Sequence, residues 1–148
     1  MTARTPGQSD GWGLVSGKLS EDEGGHQLIA RVRTQTDPEW RALAYRLTLS
    51  MKIKNPAPNG LPDLEEMRAL DEIEDRIVTH IEDDQGAELV LLVSAGGERS
   101  IILHVEDESW HARQPEGFAD AFGDYEVEVL VHHDPHWAVH SAFAERAD

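Results

Sequence analysis

Near the end of the chain stand His132, His133, Asp134, His136 and His140, residue types that bind divalent metals. His136 and His140 are four apart. On a helix they share one face, as zinc ligands do, and His132 or Asp134 would complete a set. No glutamate follows the first histidine as in H-E-x-x-H. A strand end followed by a capped helix also accounts for Asp134 and Pro135 without a metal, and the histidines are then structural or solvated.

Other chemistries are less well served. The chain has no cysteine, which removes thiolate nucleophiles, disulfides and cysteine metal sites. Ser94-Ala-Gly-Gly97 reads as a turn rather than a nucleophile elbow. Its glycines open no helix and so cradle no phosphate. Carboxylates are plentiful, so their pairing carries little information. Glu74 and Asp75 fall mid-helix, with Asp75 placed to tuck under a sheet edge beside Arg99 or Arg76. Trp12, Trp40, Trp110 and Trp137 sit at element ends and read as core plugs or lids.

The charge balance is 13 basic against 29 acidic residues, or −16 with neutral histidines. Nucleic acid would be repelled at long range. Acidity of this size serves solubility, or attraction to a basic protein partner. No stretch matches a signal core or a membrane span, so a cytoplasmic location is expected.

These residues must be held by elements, and the hydrophobic periods define them. With 148 residues, one domain is expected over 12–148 behind a disordered leader, 1–11. Trp12–Leu19 and His26–Arg33 read as a hairpin around Ser20–Gly25. Asp37-Pro38 reads as a cap and first position of a short helix or turn. Arg46–Lys54 alternates, with Leu47, Leu49, Met51 and Ile53 on one side. Pro62–Glu82 carries Leu64, Met67, Leu70, Ile73, Ile77 and Ile81 at helical spacing. Asp63 and Glu66 suggest a capping box and Gly86 a stop. The helix's other face holds Glu65, Glu66, Asp71, Glu72, Glu74 and Asp75. Glu88–Ala95 and Arg99–Glu106 are strands joined by Gly96-Gly97. Trp110–Phe122 reads as a second helix, Tyr125–Val131 as a strand, and Asp134-Pro135 as the start of a short C-terminal helix.

The order strand, helix, strand, strand, helix, strand predicts an α+β fold, a ferredoxin-like β-α-β-β-α-β antiparallel sheet with an N-terminal hairpin extension. Both long helices would lie on one face. Strict alternation sends Thr48, Ser50, Lys52, Val90, Leu92, Ser100, Ile102, His104, Glu126, Glu128, Leu130 and His132 to the other. None of these is aromatic, unlike a base-stacking RNA platform. Val90, Leu92, Ile102 and Leu130 together are too apolar to stay wet. The C-terminal helix, with Trp137 and Phe143, or a second copy of the chain would cover them.

The chain resembles the bacterial domain-of-unknown-function family 695. The resemblance rests on Leu28-Ile-Ala-Arg-Val-Arg33, Glu72-Ile-Glu-Asp-Arg-Ile77, Gly97-Glu-Arg-Ser-Ile-Ile-Leu-His-Val-Glu-Asp107, Tyr125-Glu-Val-Glu-Val129 and Asp134-Pro-His-Trp137, and runs from Trp12 onward. It implies no activity, and marks Asp75, Arg99, Asp134 and Trp137 as positions to test. His104 stands where the family tends to a tyrosine, and His140 where it tends to an aromatic. In fold and charge the pattern is also similar to the bacterial regulator B of ribonuclease E activity.

The expectation is therefore a non-catalytic cytoplasmic module that binds another protein or itself. It needs no cofactor and touches neither nucleic acid nor membrane. The alternatives are a metal-dependent enzyme or metal binder using His132, Asp134, His136 and His140, and a small-molecule sensor with a pocket beside Trp110 or Trp137.

Overall fold

A computed structural model describes residues 11–18 and 27–147. The expected turn Ser20–Gly25 and residues 1–10 of the expected leader lie outside the described residues. Among those described, six strands and three helices form an α+β fold. The strands are β1 (Trp12–Lys18), β2 (Gln27–Arg33), β3 (Tyr45–Lys52), β4 (Ala87–Ala95), β5 (Glu98–Val105) and β6 (Val127–His133). They make one antiparallel sheet in the order β1-β2-β4-β5-β3-β6. The sheet is thus six-stranded rather than four-stranded, with the β1-β2 hairpin hydrogen-bonded at its edge beyond β4. Leu47 of β3 opposes Leu103 on one side and Val131 on the other, so its alternating face joins a continuous apolar layer.

Gly96 and Gly97 both have positive φ, 59° and 81°, as the tight turn between β4 and β5 requires. The strict alternation fails within β4. Leu89 pairs with Leu103, but Leu91 pairs with the next residue back, Ile102, leaving Val90 as a bulge. Leu92, expected on the second face, therefore packs in the core beneath the helix, and Leu91 takes its place across the sheet. The run Leu89-Val-Leu-Leu-Val93 is apolar throughout, so its pattern holds no phase for a bulge to interrupt.

Helix α1 (Leu64–Ile81) covers the first face. Leu70, Ile73, Ile77 and Ile81 meet Leu47, Leu49, Ile101 and Leu103 there. Each such side chain contributes roughly 1.5–3 kcal/mol on burial. Leu64, expected in the stripe, is instead 69% exposed at the first turn. Glu66 and Glu74, expected on the solvated face, are buried.

Asp63 caps the helix by accepting from the Glu66 amide at 2.7 Å. Glu66 does not close a capping box. Its carboxylate accepts instead from the Lys54 amide at 2.6 Å, the Asn55 amide at 2.9 Å and the Tyr125 hydroxyl at 2.6 Å. Burial pushes this carboxyl up, but those donors outweigh burial and hold it below its ordinary range. The stability it contributes is present at neutral pH and lost as pH falls through that lowered value. Tyr125→Phe should cost about 1.5–3 kcal/mol at neutral pH, as for a hydrogen bond to a charged group. Urea denaturation at several pH values checks this, and the difference should shrink once Glu66 takes up a proton.

The second helix is a correction. Trp110–Phe122 is broken into a 3₁₀ turn, His111–Arg113, and the short helix α2 (Gly117–Asp120). Gln114 precedes Pro115 and is extended, with ψ 146°, which stops a helix from crossing it. Trp110 and Phe118 nevertheless close one end of the α1 core.

The second face is covered in part by α3 (Ala138–Ala144) and the 3₁₀ turn Pro38–Ala42. Leu43, Trp137, Trp40, Val139 and Phe143 pack there on Val15, Ala30, Val32, Val90, Leu91 and Ile102. The C-terminal helix is thus the cover over β2, β4 and β5. Leu130, on β6, stays 44% exposed.

Candidate functional site

The residues that sequence reasoning picked near the C-terminal end meet on the second face, around one carbonyl. His104 of β5 is fully buried. Its Nδ1–H donates to the Leu43 carbonyl at 2.9 Å, and the Trp137 Nε1–H donates to the same oxygen at 3.0 Å. The two rings stack at 4.2 Å and 18°. Because a carbonyl only accepts, Nδ1 carries a proton, and in the neutral ring Nε2 holds the lone pair. That Nε2 has no hydrogen-bond partner and lies 3.8 Å from the Asp134 carboxylate. Burial lowers the His104 pKa, more than the Leu43 carbonyl and Asp134 raise it, which favours the neutral ring.

Asp134 joins β3, β6 and α3. Its amide donates to the Ala44 carbonyl at 2.7 Å. One carboxylate oxygen accepts from the Ala138 amide at 2.9 Å, in the first turn of α3, and the other from Arg46 at 2.8 Å. Burial pushes the carboxyl up, but the Ala138 amide and Arg46 overcome it and hold it below its ordinary range. The helix does not start at Pro135 as expected. Trp137 lies in the left-handed region, with φ 53°, and α3 begins after it. A bulky residue there carries strain of about 1–3 kcal/mol, a cost met at sites where the surroundings over-determine the geometry. Here the surroundings are the Leu43 carbonyl and the His104 ring.

His140 extends the network. Its Nε2–H donates to the Arg33 carbonyl at 2.6 Å, and its ring meets Trp137 edge-on at 5.3 Å. The Arg33 guanidinium lies over two indoles, 5.2 Å from Trp12 and 4.8 Å from Trp40. Glu88 is its ionic partner at 3.6 Å. Burial raises the Glu88 carboxyl above its ordinary range against the pull of Arg33.

A cleft of roughly 190 Å³ opens beside this network. Trp40, Trp137 and His140 line it together with the polar groups of Thr36, Asp37, Arg41, His136 and Ser141. His136 and His140 therefore do share a site. His132 does not: it is exposed on β6, opposite Arg46. Among the described residues no three histidine or acidic side chains are grouped to hold a metal ion. His140 and Asp134, two of the expected ligands, already spend atoms on Arg33, Arg46 and Ala138.

Asp75 and Arg99 lie across the sheet. Asp75 is exposed, and the buried partner of Arg99 is Glu74, with Ser94 at 2.8 Å and Asp71 at 3.3 Å completing the set. Burial outweighs the pull of Arg99 and raises the Glu74 carboxyl to about 7. Glu74 lies in one i, i+4 row with Glu66, Leu70 and Val78, all buried on α1, a row that two glutamates disguise in the sequence. Arg33, Trp40 and Leu43 carried no local signal. They reach the site through pairings distant in sequence.

Residues 10–143 match a family of unknown function (DUF695), and the chain belongs to that family. No curated protein matches it, and no solved structure does.

Proposed function

We propose that this member of the family is a non-catalytic protein-binding domain whose cleft receives one basic side chain of a partner. One observation carries the reading: Trp40, which lines the cleft, already holds a guanidinium, that of Arg33, at 4.8 Å from its ring. The indoles of Trp40 and Trp137 offer the same chemistry to a second cation. At roughly 190 Å³ the cleft is smaller than the ~300–1,000 Å³ of cofactor and drug-sized sites, and suits a side chain. The local charges of Asp37 and Arg41 offset each other, so the chain's net −16 sets the sign of the long-range field and favours a basic partner.

The buried carboxylates support a binding role over catalysis. Glu66, Glu74 and Asp134 are each committed to donors within the fold, and the one raised to about 7 lies across the sheet from the cleft. We also read the strands β4-β5-β3-β6, with α1 between β3 and β4 in the chain, as a ferredoxin-like core. The hairpin is then an extension at one edge.

Titration with acetyl-Gly-Arg-Gly-amide, followed by NMR, tests the proposal. The indole N–H signals of Trp40 and Trp137 should shift, and acetyl-Gly-Glu-Gly-amide should leave them unmoved. Asp37→Asn keeps a residue able to cap the Pro38–Ala42 turn. It should weaken binding by about 1.4- to fivefold, the ~0.2–1 kcal/mol of an exposed charge pair. An equal response to both peptides, or none to either, overturns the reading.

A further inference from the structure

We infer that β6 is a self-association edge, and that two copies of this chain pair β6 with β6 antiparallel about a two-fold axis through Leu130. The inference stands apart from the cleft and needs none of its residues.

The sheet has two edges, and they are built differently. β1 contains Gly13 and Gly17 and ends on Lys18, and the position a Cβ would take at Gly17 lies 3.6 Å from the Arg146 guanidinium. Glycine inside a strand weakens it and leaves no side chain to pack, which makes β1 a poor template for another strand. β6 is not weakened in this way. Its seven residues, Val-Glu-Val-Leu-Val-His-His, contain no proline, glycine or lysine, and it pairs with β3 along one side only. Val127, Val129 and Val131 are half-buried against the α1 core, while Leu130 is exposed on the other face. A regular β-branched strand with an open row of backbone donors and acceptors is a template for another strand.

The sequence of β6 fits a second copy of itself. A two-fold axis normal to the sheet keeps like faces on the same side. Leu130 is the midpoint of Val127–His133, so centring there pairs the whole strand. Leu130 then meets Leu130 of the partner subunit, and the exposed leucines bury each other. Val129 faces Val131 of the partner subunit on the opposite face. Glu128 faces His132 of the partner subunit, whose ring N–H donates to the carboxylate, and symmetry makes that contact twice. Moving the axis to Glu128 would set two carboxylates against each other and leave strand ends unpaired. One register therefore satisfies length, packing and charge.

Net charge opposes association, because each copy carries −16. Salt screens that repulsion over about 8 Å at physiological strength, so the dimer tightens as salt rises.

Sedimentation equilibrium of the full chain at about 0.15 M and about 0.5 M salt tests this. A mass of twice the 16.5 kDa chain is expected, more fully at the higher salt. Leu130→Lys, at an exposed position, should return the protein to monomer, as should Glu128→Lys. The exchange Glu128→His with His132→Glu restores the cross-strand pair and should stay dimeric. A monomeric wild type at high salt overturns the proposal, as does a dimer that survives Leu130→Lys, or masses growing beyond the dimer, which would mean β6 docking on β1. A monomeric exchange variant overturns the register. If a variant fails to fold, hydrogen exchange on the wild type still decides. The β6 amides facing away from β3 should gain protection with concentration, and unchanged exchange refutes the pairing.

Discussion

Replacing Arg99 with methionine should remove about 3–5 kcal/mol of stability at about pH 8, the usual cost of stranding one member of a buried ion pair. Glu74 is 3% exposed, so water cannot take over from the lost guanidinium. The pH dependence identifies the cause. In the folded protein burial outweighs Arg99 and holds the Glu74 carboxyl at about 7, above its ordinary 4.5. A raised carboxyl means the folded state binds the proton more tightly. Its contribution to stability is therefore favourable at low pH and is lost as pH rises from about 4.5 to about 7. Without Arg99 the burial push is unopposed and the decline extends to higher pH. Urea denaturation at about pH 5 and about pH 8 should show a small loss at the first and the full loss at the second. Adding Glu74→Met should recover much of the stability, since an apolar pair replaces a buried charge. An equal loss at both pH values would mean that Arg99 acts by packing alone.

Trp137→Ala should cost about 3–5 kcal/mol, the range for deleting a large buried aromatic. The indole packs in the second-face core, stacks on His104 at 4.2 Å and donates to the Leu43 carbonyl. A second substitution separates contacts from backbone. In most positions glycine is worse than alanine. At φ 53° the order should invert, and Trp137→Gly should be about 1 kcal/mol more stable than Trp137→Ala. Urea denaturation of both variants measures this. If alanine proves the more stable, the left-handed geometry at 137 carries no strain.

The legible parts of this molecule are those whose pattern is local. Leu47, Leu49 and Met51 alternate with polar residues, and the strand is found where they place it. Gly96-Gly97 specifies its own turn. Leu70, Ile73, Ile77 and Ile81 mark the buried side of α1. The failures share a cause. The bulge at Val90 hides in a stretch with no polar residue to mark phase. Trp137 turns left-handed because Leu43 and His104, distant in sequence, fix its ring. Arg99 chose Glu74 over Asp75 because helix rotation decides between adjacent residues, and counting carboxylates cannot. Of the expected site, Asp134, Trp137, His136 and His140 do gather, but neither Arg46 nor His104, which anchor them, was expected there: Arg46 only opened a strand, and His104 was noted only for its sheet face and its departure from the family.

The cover supplied by α3 has a consequence for synthesis. Every strand leaves the ribosome before Ala138 does. Until then Leu91, Val32 and Ile102 have no lid, so this half of the molecule can be sealed only once the last residues are made.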